Sequence, residues 1–200
     1  MTSTKTILGC MLIAFLLPSL SAAQTVSYGF TATIEVADPP LDTVFTPGER
    51  LTVYFQLDSA VPDLDPSPGI GDYENAVLMS SAFTDDYVVT GTGGNLLISD
   101  MAPGNFDIFI ILGFVSGPAI AGGCVPDTAQ AFATDSTGLA FSNDAFPVSA
   151  PDPTNFDVFD VKLNFACPGG LASLTAFGDS DVVVFINGFG DAAVRASDWQ

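Results

Sequence analysis

Apolar and polar residues alternate with a period of two along most of this 200-residue chain. From Tyr28 to Val36 every second residue is apolar, and the residues between them are Gly, Thr and Glu. The stretch from Leu51 to Leu57 repeats the pattern, with polar or amphipathic residues at the intervening positions. Successive side chains of a β-strand point to opposite faces, so both segments predict antiparallel strands with one face in a core and one in water.

Further segments have strand character and are separated by Gly, Pro, Asn and Asp residues, which are typical of turns. They are residues 76–84, 87–92, 95–99, 106–115, 139–142, 156–166, 173–177, 182–186 and 192–199. About eleven short strands without an amphipathic helix predict an all-β fold, a single antiparallel β-sandwich or jelly-roll-like domain over residues 24–200. The 17 Phe residues are expected to fill the space between its facing layers.

One five-residue motif occurs twice, as NFDIF at Asn105–Phe109 and as NFDVF at Asn155–Phe159. Alternation directs Phe109 and Phe159 towards the core, and it places Asp107 and Asp157 at matching positions where each strand begins. Asp at such a position bonds loop backbone, so the repeat predicts two equivalent strand entries. We expect the two aspartates to lie more than about 10 Å apart, without a shared ion site. Since the residues alternating with Phe109 are also apolar, the first strand is expected to be covered on both faces.

The first 23 residues resemble an export signal. Lys5 supplies a positive charge, Ile7–Leu17 an apolar run, and Ser21-Ala22-Ala23 the small residues that precede a cleavage site. The apolar run is shorter than the roughly 20 residues that span a bilayer, so we expect no transmembrane anchor in the mature chain. Cys10 follows Leu8-Gly9 as in lipoproteins, but the apolar run comes after Cys10, which favours cleavage before Gln24. The chain is therefore predicted to be secreted or periplasmic.

The strongly negative charge of the chain argues against nucleic acid and anionic lipid as partners. The chain has 23 Asp and Glu against 4 Lys and Arg, a net charge of −19. Such a surface repels nucleic acid and anionic lipid, so neither is an expected partner. Nearly all the acids are Asp, which suits turns, and a minority could hold divalent cations.

Two cysteines follow the predicted signal peptide. Cys124 lies after Gly122-Gly123 and Cys167 lies before Pro168-Gly169-Gly170, so both are expected at strand ends. An exported chain with one pair of thiols predicts a disulfide between them. A zinc site is not expected, because the chain has no His and two thiols do not complete a zinc shell.

The segment from Pro62 to Ala76 contains the best candidate for a metal site. Its oxygen-bearing residues fall at positions 1, 3, 5, 7 and 12 of a twelve-residue calcium loop, and they are Asp63, Asp65, Ser67, Gly69 and Glu74. Position 6 is Pro68, whose φ is fixed near about −65°, where such loops need a Gly. Strands rather than helices flank the segment. The hypothesis that the segment supports is a looser calcium-stabilised loop rather than an EF-hand, and the alternative is a Pro-stiffened turn that holds no ion.

Catalytic signatures are sparse. Without His, neither a Ser-His-Asp nor a Cys-His arrangement can form. Two carboxylates alone can cleave a glycosidic bond, so a carboxylate-dependent glycan hydrolase is the alternative to a non-catalytic protein. Tyr54, Tyr73 and Tyr87 could contribute to a sugar-binding face. The favoured interpretation is an exported structural or binding module that has no catalytic residues and binds a polysaccharide or a surface protein.

Several segments resemble uncharacterised secreted bacterial proteins that often carry a PEP-CTERM sorting signal. The resembling segments are YGFTATIEVADPP, FTPGERLTVYFQLDSAVPDLDPSPGIGDYENAV, TGLAFSNDAFPV and NFDVFDVKLNF. The resemblance implies an exported β-sandwich and no known catalytic residue. The sequence departs from that family at its end, VRASDWQ, where no sorting signal is found, so a freely secreted or periplasmic protein is expected.

Overall fold

The structure, a computed structural model, describes residues 25–100, 106–147 and 155–177. The predicted signal peptide and the two predicted strands after residue 177 lie outside these ranges. The strands of the described residues are β1 (Thr25–Ala37), β2 (Arg50–Asp58), β3 (Ile70–Tyr73), β4 (Val77–Phe83), β5 (Val88–Gly91), β6 (Gly94–Ser99), β7 (Asp107–Phe114), β8 (Val125–Asp135), β9 (Val158–Cys167) and β10 (Gly170–Phe177).

The described ranges contain no α-helix, and they include two 3-10 turns at Leu41–Thr43 and Ala121–Gly123. No helix within these ranges has both the length and the apolar character needed to cross a bilayer. The all-β prediction is confirmed.

All ten strands belong to one antiparallel sheet, in the order β3-β6-β7-β8-β9-β10-β1-β2-β4-β5. The sheet folds back on itself, so that β2 packs against β8 and β9, and β4 packs against β7 and β8. The fold is therefore sandwich-like, but its two layers are halves of one continuous sheet rather than two separate sheets.

Aromatic rings join the two layers at the centre of the core. Phe30 of β1 lies 5.3 Å from Phe159 of β9 and 6.4 Å from Phe109 of β7, measured between ring centroids. Tyr28 also contacts Phe109, edge to face at 6.4 Å. All four side chains are buried, as the alternation in the sequence predicts.

Two irregularities change the predicted faces. A register shift between Ile34 and Val36 turns Val36 outwards, where it is 45% exposed, although the sequence pattern placed it in the core. On β7 the predicted double cover is only partial, because Ile108, Ile110 and Leu112 remain half-buried on the outer face.

Residues 139–142 do not form the predicted strand. Their backbone N–H groups donate to carboxylates instead of to a neighbouring strand, so no ladder can form there. Strands β3 and β8, by contrast, form where we predicted none. β8 contains Pro126 and has Ala at its inward positions, and neither feature is typical of a strand.

Both outermost strands of the described sheet are covered along their free edges. Beside β5, Thr90 and Ser116 exchange backbone hydrogen bonds of 3.3 and 2.9 Å. Beside β3, Leu64 donates to the Asp72 carbonyl at 2.9 Å, and the Asp72 N–H donates to the Asp63 carboxylate at 2.9 Å.

Candidate functional site

The carboxylates of the predicted calcium loop organise the loop's own backbone. Asp63 Oδ1 accepts the N–H groups of Asp65 at 3.0 Å and Asp72 at 2.9 Å. Asp65 Oδ1 accepts the N–H of Ser67 at 2.7 Å, and this backbone bond, with a bond from the Ser67 hydroxyl, lowers the pKa of Asp65. These are the short-range turns that Asp favours in irregular segments.

Strand β3 lies between most of the predicted ligands and Glu74. Gly69 precedes β3 and Glu74 follows it, so a four-residue strand separates the first predicted ligands from the last. Within residues 25–100, 106–147 and 155–177, no three His, Cys, Asp or Glu side chains lie close enough together to ligate one metal ion. Calcium binding by Asp63, Asp65, Ser67, Gly69 and Glu74 stays a prediction.

A different group of aspartates lies side by side across the sheet. Asp107 of β7 pairs directly with Asp135 of β8. Asp100 follows Ser99, which pairs with Ile108, so it extends the row on one side. Asp157 donates its N–H to Thr134 at 2.9 Å and extends the row on the other side. Four aspartates therefore form one row across the ends of β6, β7, β8 and β9, which we call the aspartate row.

Residues 136–147 pass over this end of the sheet, and we call them the cap loop. Asp135 accepts N–H groups from Leu139 at 2.8 Å and Ala140 at 3.0 Å, as well as both the N–H and the hydroxyl of Thr137. Asp107 Oδ2 accepts the N–H of Phe141 at 2.9 Å. The aspartate row therefore supplies the acceptors that the cap loop needs in place of a partner strand.

The repeated motif takes part in this arrangement. Asp157 accepts the N–H of Ser136 at 2.7 Å, and Asp107 holds the other side of the cap loop. The prediction that both aspartates bond loop backbone is confirmed. The loop concerned is the distant 136–147 segment rather than the residues just before each strand. β7 and β9 both pair with β8, so the two aspartates lie two strands apart.

Tyrosine hydroxyls and phenylalanine rings complete the attachment of the cap loop. Tyr73 donates to the Asp144 carbonyl at 2.9 Å, and Tyr28 donates to the Pro147 carbonyl. Phe146 packs on Tyr73 at 5.2 Å, and Phe141 packs on Phe109 at 6.2 Å. Burial raises the pKa of both tyrosines, so both remain neutral donors.

These contacts remove two tyrosines from the suggested sugar-binding face. Tyr73 is buried in the core. Tyr87 is half-buried against Phe165 and donates its hydroxyl to the Pro118 carbonyl at 2.6 Å. Tyr54 remains half-exposed on the outer face of β2.

The carboxylates of the row differ in their electrostatic surroundings. Hydrogen bonds from the Leu139 and Thr137 N–H groups lower the pKa of Asp135. Bonds from Ser136 lower the pKa of Asp157. Burial, followed by the charges of Asp107 and Asp144, raises the pKa of Asp100. Hydrogen bonds therefore stabilise the charged forms of Asp135 and Asp157, whereas burial and neighbouring negative charges destabilise the charged form of Asp100.

A disulfide joins Cys124 and Cys167, as the sequence predicts. The S–S distance is 2.00 Å, and the two Cα atoms lie 4.1 Å apart. The bridge lies just beyond the Val125–Ala166 pair of the β8–β9 ladder. It ties these strands together at the end opposite the aspartate row.

The outer face of β6, β7 and β8 carries an apolar surface, which we call the outer stripe. Leu97, Ile110 and Phe132 are neighbours across the three strands and are all half-buried. The stripe extends along β7 through further apolar residues, which are Ile108, Leu112 and the 51%-exposed Phe114. Beyond Phe132 the same row reaches Asp160, whose carboxylate forms a 3.3 Å ion pair with Lys162. The alternation in the sequence indicates that the outer residues of β7 are apolar, but it predicts a covered face, whereas the structure leaves that face half-exposed.

Comparison with protein-family models, with curated proteins and with solved structures finds no significant match for this chain.

Proposed function

We propose that this protein is an exported, non-catalytic structural or binding module, and that the outer stripe is its binding surface. The observation that carries the proposal is the apolar row Leu97–Ile110–Phe132, whose side chains are all partly exposed on the outer face of β6, β7 and β8. The water-facing side of an antiparallel sheet is usually polar, and contiguous exposed apolar surface marks interaction sites.

A surface protein of the cell envelope fits the outer stripe best. The stripe is mainly aliphatic and therefore offers few of the aromatic platforms and hydrogen-bonding groups that a sugar needs. The net charge of −19 opposes both anionic lipid and a second copy of this chain. A partner with an apolar patch and neutral or basic surroundings is expected, and a polysaccharide is the other predicted partner class.

Export rests on two features of different kinds. The first 23 residues have the composition of a cleaved signal peptide. The Cys124–Cys167 disulfide supports the same proposal, since structural disulfides persist mainly in oxidising compartments. Sequencing the N-terminus of protein recovered from the medium or periplasm tests the proposed cleavage before Gln24. The resemblance to secreted proteins that carry sorting signals remains part of the proposal.

The binding surface is tested with two matched variants. Ile110→Lys places a charge in the outer stripe, whereas Gln56→Lys places the same charge at a half-exposed position on the outer face of β2. Purified proteins are sedimented with the envelope fraction of the producing cells, and analytical ultracentrifugation of each protein alone reports self-association. We expect Ile110→Lys to reduce envelope binding at least about tenfold and Gln56→Lys to leave it unchanged.

Equal binding by wild type and Ile110→Lys would overturn the proposed surface. The alternative, a carboxylate-dependent glycan hydrolase, is tested separately with a glycan array and a hydrolase substrate panel. Turnover that a single Asp→Asn change abolishes would overturn the non-catalytic proposal.

A further inference from the structure

The Asp107 carboxylate has one oxygen that receives no hydrogen bond from the described residues. Its side chain is 0% exposed, and Oδ2 accepts the Phe141 N–H. Oδ1 is buried and has no hydrogen-bond partner within residues 25–100, 106–147 and 155–177. A buried carboxylate oxygen without a donor is costly, so this atom requires a hydrogen-bond donor or a cation.

Two more carboxylates, Asp100 and Asp144, lie in the same corner of the fold. Asp100 extends the aspartate row beside Asp107. Asp144 Oδ2 accepts the Gly69 N–H at 2.9 Å, while the Gly69 carbonyl accepts the Asp100 N–H at 2.8 Å, so Gly69 lies between them. The raised pKa of Asp100, caused by burial and then by the charges of Asp107 and Asp144, agrees with this proximity.

Backbone packing makes this corner of the fold narrow. A Cβ atom at Gly69 would overlap the Asp100 carbonyl, and one at Gly71 would overlap the Asp144 carbonyl. The backbone carbonyl oxygens of Asp100 and Asp144 therefore lie close to the Gly69–Gly71 backbone, in the same corner as the carboxylates. They are the oxygen ligands that calcium prefers.

No basic side chain of the described residues compensates these charges. The described basic residues are Arg50 and Lys162. Arg50 begins β2 and lies opposite Thr33, and Lys162 forms its ion pair with Asp160 on the outer face. Among the described residues, the three carboxylates of this corner therefore have no basic side chain as a counter-ion.

We propose that Asp107 and Asp100 are the carboxylate ligands of a calcium site beneath the cap loop, with the charge of Asp144 adding to the attraction. Two carboxylates, completed by backbone carbonyls and water, form an oxygen shell of the kind that calcium accepts. The site differs from the Asp63–Glu74 loop predicted from sequence, because its carboxylates come from β6, β7 and the cap loop. It is also independent of the outer stripe.

The test uses the purified chain after exhaustive treatment with chelator. Tb³⁺ is the spectroscopic probe. The Tyr73 hydroxyl donates to the Asp144 carbonyl, so the Tyr73 ring lies near the proposed site and can sensitise Tb³⁺ luminescence. CaCl2 then competes for the site, and melting temperature is measured with CaCl2 or with chelator. Saturating Ca²⁺ should raise the melting temperature of the wild type by about 5 °C or more at a hundredfold excess over Kd.

Five single variants locate the site. Asp107→Asn and Asp100→Asn remove the proposed ligands' charge with little change in shape, and we expect each to weaken Ca²⁺ binding at least about tenfold. Asp63→Asn and Asp65→Asn test the sequence-predicted loop in the same assay. The exposed Asp127→Asn on β8 is the matched control, and we expect it to bind Ca²⁺ like the wild type. If Asp107→Asn does not fold, the half-exposed Asp100 position decides the question.

Three results would overturn the proposal. They are a wild type without a Ca²⁺-dependent melting shift, unchanged binding in Asp100→Asn, and loss of binding confined to Asp63→Asn and Asp65→Asn. The last result would place calcium in the 63–74 loop instead. Loss confined to the Asp100 and Asp107 variants supports the proposed site.

Discussion

Replacing both cysteines of the Cys124–Cys167 bridge with alanine should lower the free energy of unfolding by about 4 kcal/mol. The bridge joins residues separated by 43 positions. For a loop of this length, the chain-entropy relation gives a loss of about 13 cal/mol/K on cross-linking, which is about 4 kcal/mol at 25 °C. The β8–β9 ladder already places Val125 opposite Ala166 beside the bridge. The folded strands therefore hold both cysteine positions together, and the difference arises mainly in the unfolded chain.

Urea denaturation, followed by fluorescence and circular dichroism, measures this loss. With a slope of about 2 kcal/mol/M, the midpoint of the double variant should fall by about 2 M. Wild type unfolded in the presence of reductant is the control and should show the same fall, because reduction removes the cross-link without changing the side chains. A double variant whose midpoint lies within about 0.5 M of oxidised wild type would refute the reasoning. A large change in slope would instead show altered compactness of the denatured chain.

Three further predictions concern the core and the aspartate row. Phe109→Ala should lower the free energy of unfolding by about 3–5 kcal/mol because the ring is fully buried, whereas Phe114→Ala removes a half-exposed ring and should lower it much less. Urea unfolding compares the two variants, and equal losses would contradict the assigned core. Asp135→Asn should speed amide exchange of the cap loop at pH 7, and the exposed Asp127→Asn on the same strand is the control. Because hydrogen bonds lower the pKa of Asp135, its stabilisation is present above the unfolded pKa of about 4 and is lost as pH falls through the folded pKa. Unchanged exchange in Asp135→Asn would contradict its anchoring role. Asp100→Asn, measured in chelator, should raise the melting temperature at pH 7, because the raised pKa of Asp100 means that its charged form destabilises the folded protein. The gain should vanish below about pH 4, where the carboxyl is protonated in both the folded and the unfolded chain. A lower melting temperature of the variant at pH 7 would contradict this reasoning.

The alternation of apolar residues predicts much of the fold because burial acts on whole strand faces. Along β9, for example, Phe159, Val161, Leu163 and Phe165 are all buried as their spacing predicts. The continuous sheet could not be predicted in the same way. Which strand neighbours which depends on contacts between residues far apart in sequence, and alternation within a strand contains no information about them.

β8 shows where local preference fails. Its inward residues Ala129, Ala131 and Ala133 have low strand propensity, yet all three are completely buried. Strands β2 and β4 of the opposite layer pack against β8, and small inward side chains permit this close approach. Tertiary packing therefore overrides the weak strand signal, including the irregular register around Pro126.

The cap loop shows the opposite failure. Residues 139–142 have an apolar pattern that predicts a strand, but their N–H groups are taken by Asp135 and Asp107. Asp107 lies 34 residues from Phe141, so no local pattern indicates this competition. Sequence indicated the aspartates of the repeated motif as acceptors for loop backbone. It could not indicate which loop they bind or that Asp135 lies between them.

The covered edges of the sheet limit how other proteins can attach to it. Many partners bind a β-protein by β-augmentation, in which an extended peptide adds a strand to an open edge. Here the Thr90–Ser116 pair occupies the edge at β5, and Leu64 with Asp63 occupies the edge at β3. The same hydrogen bonds protect against edge-to-edge polymerisation, which open strands invite. Recognition of the described sheet must therefore rely on side chains, so a partner would be selected by surface shape rather than by peptide backbone.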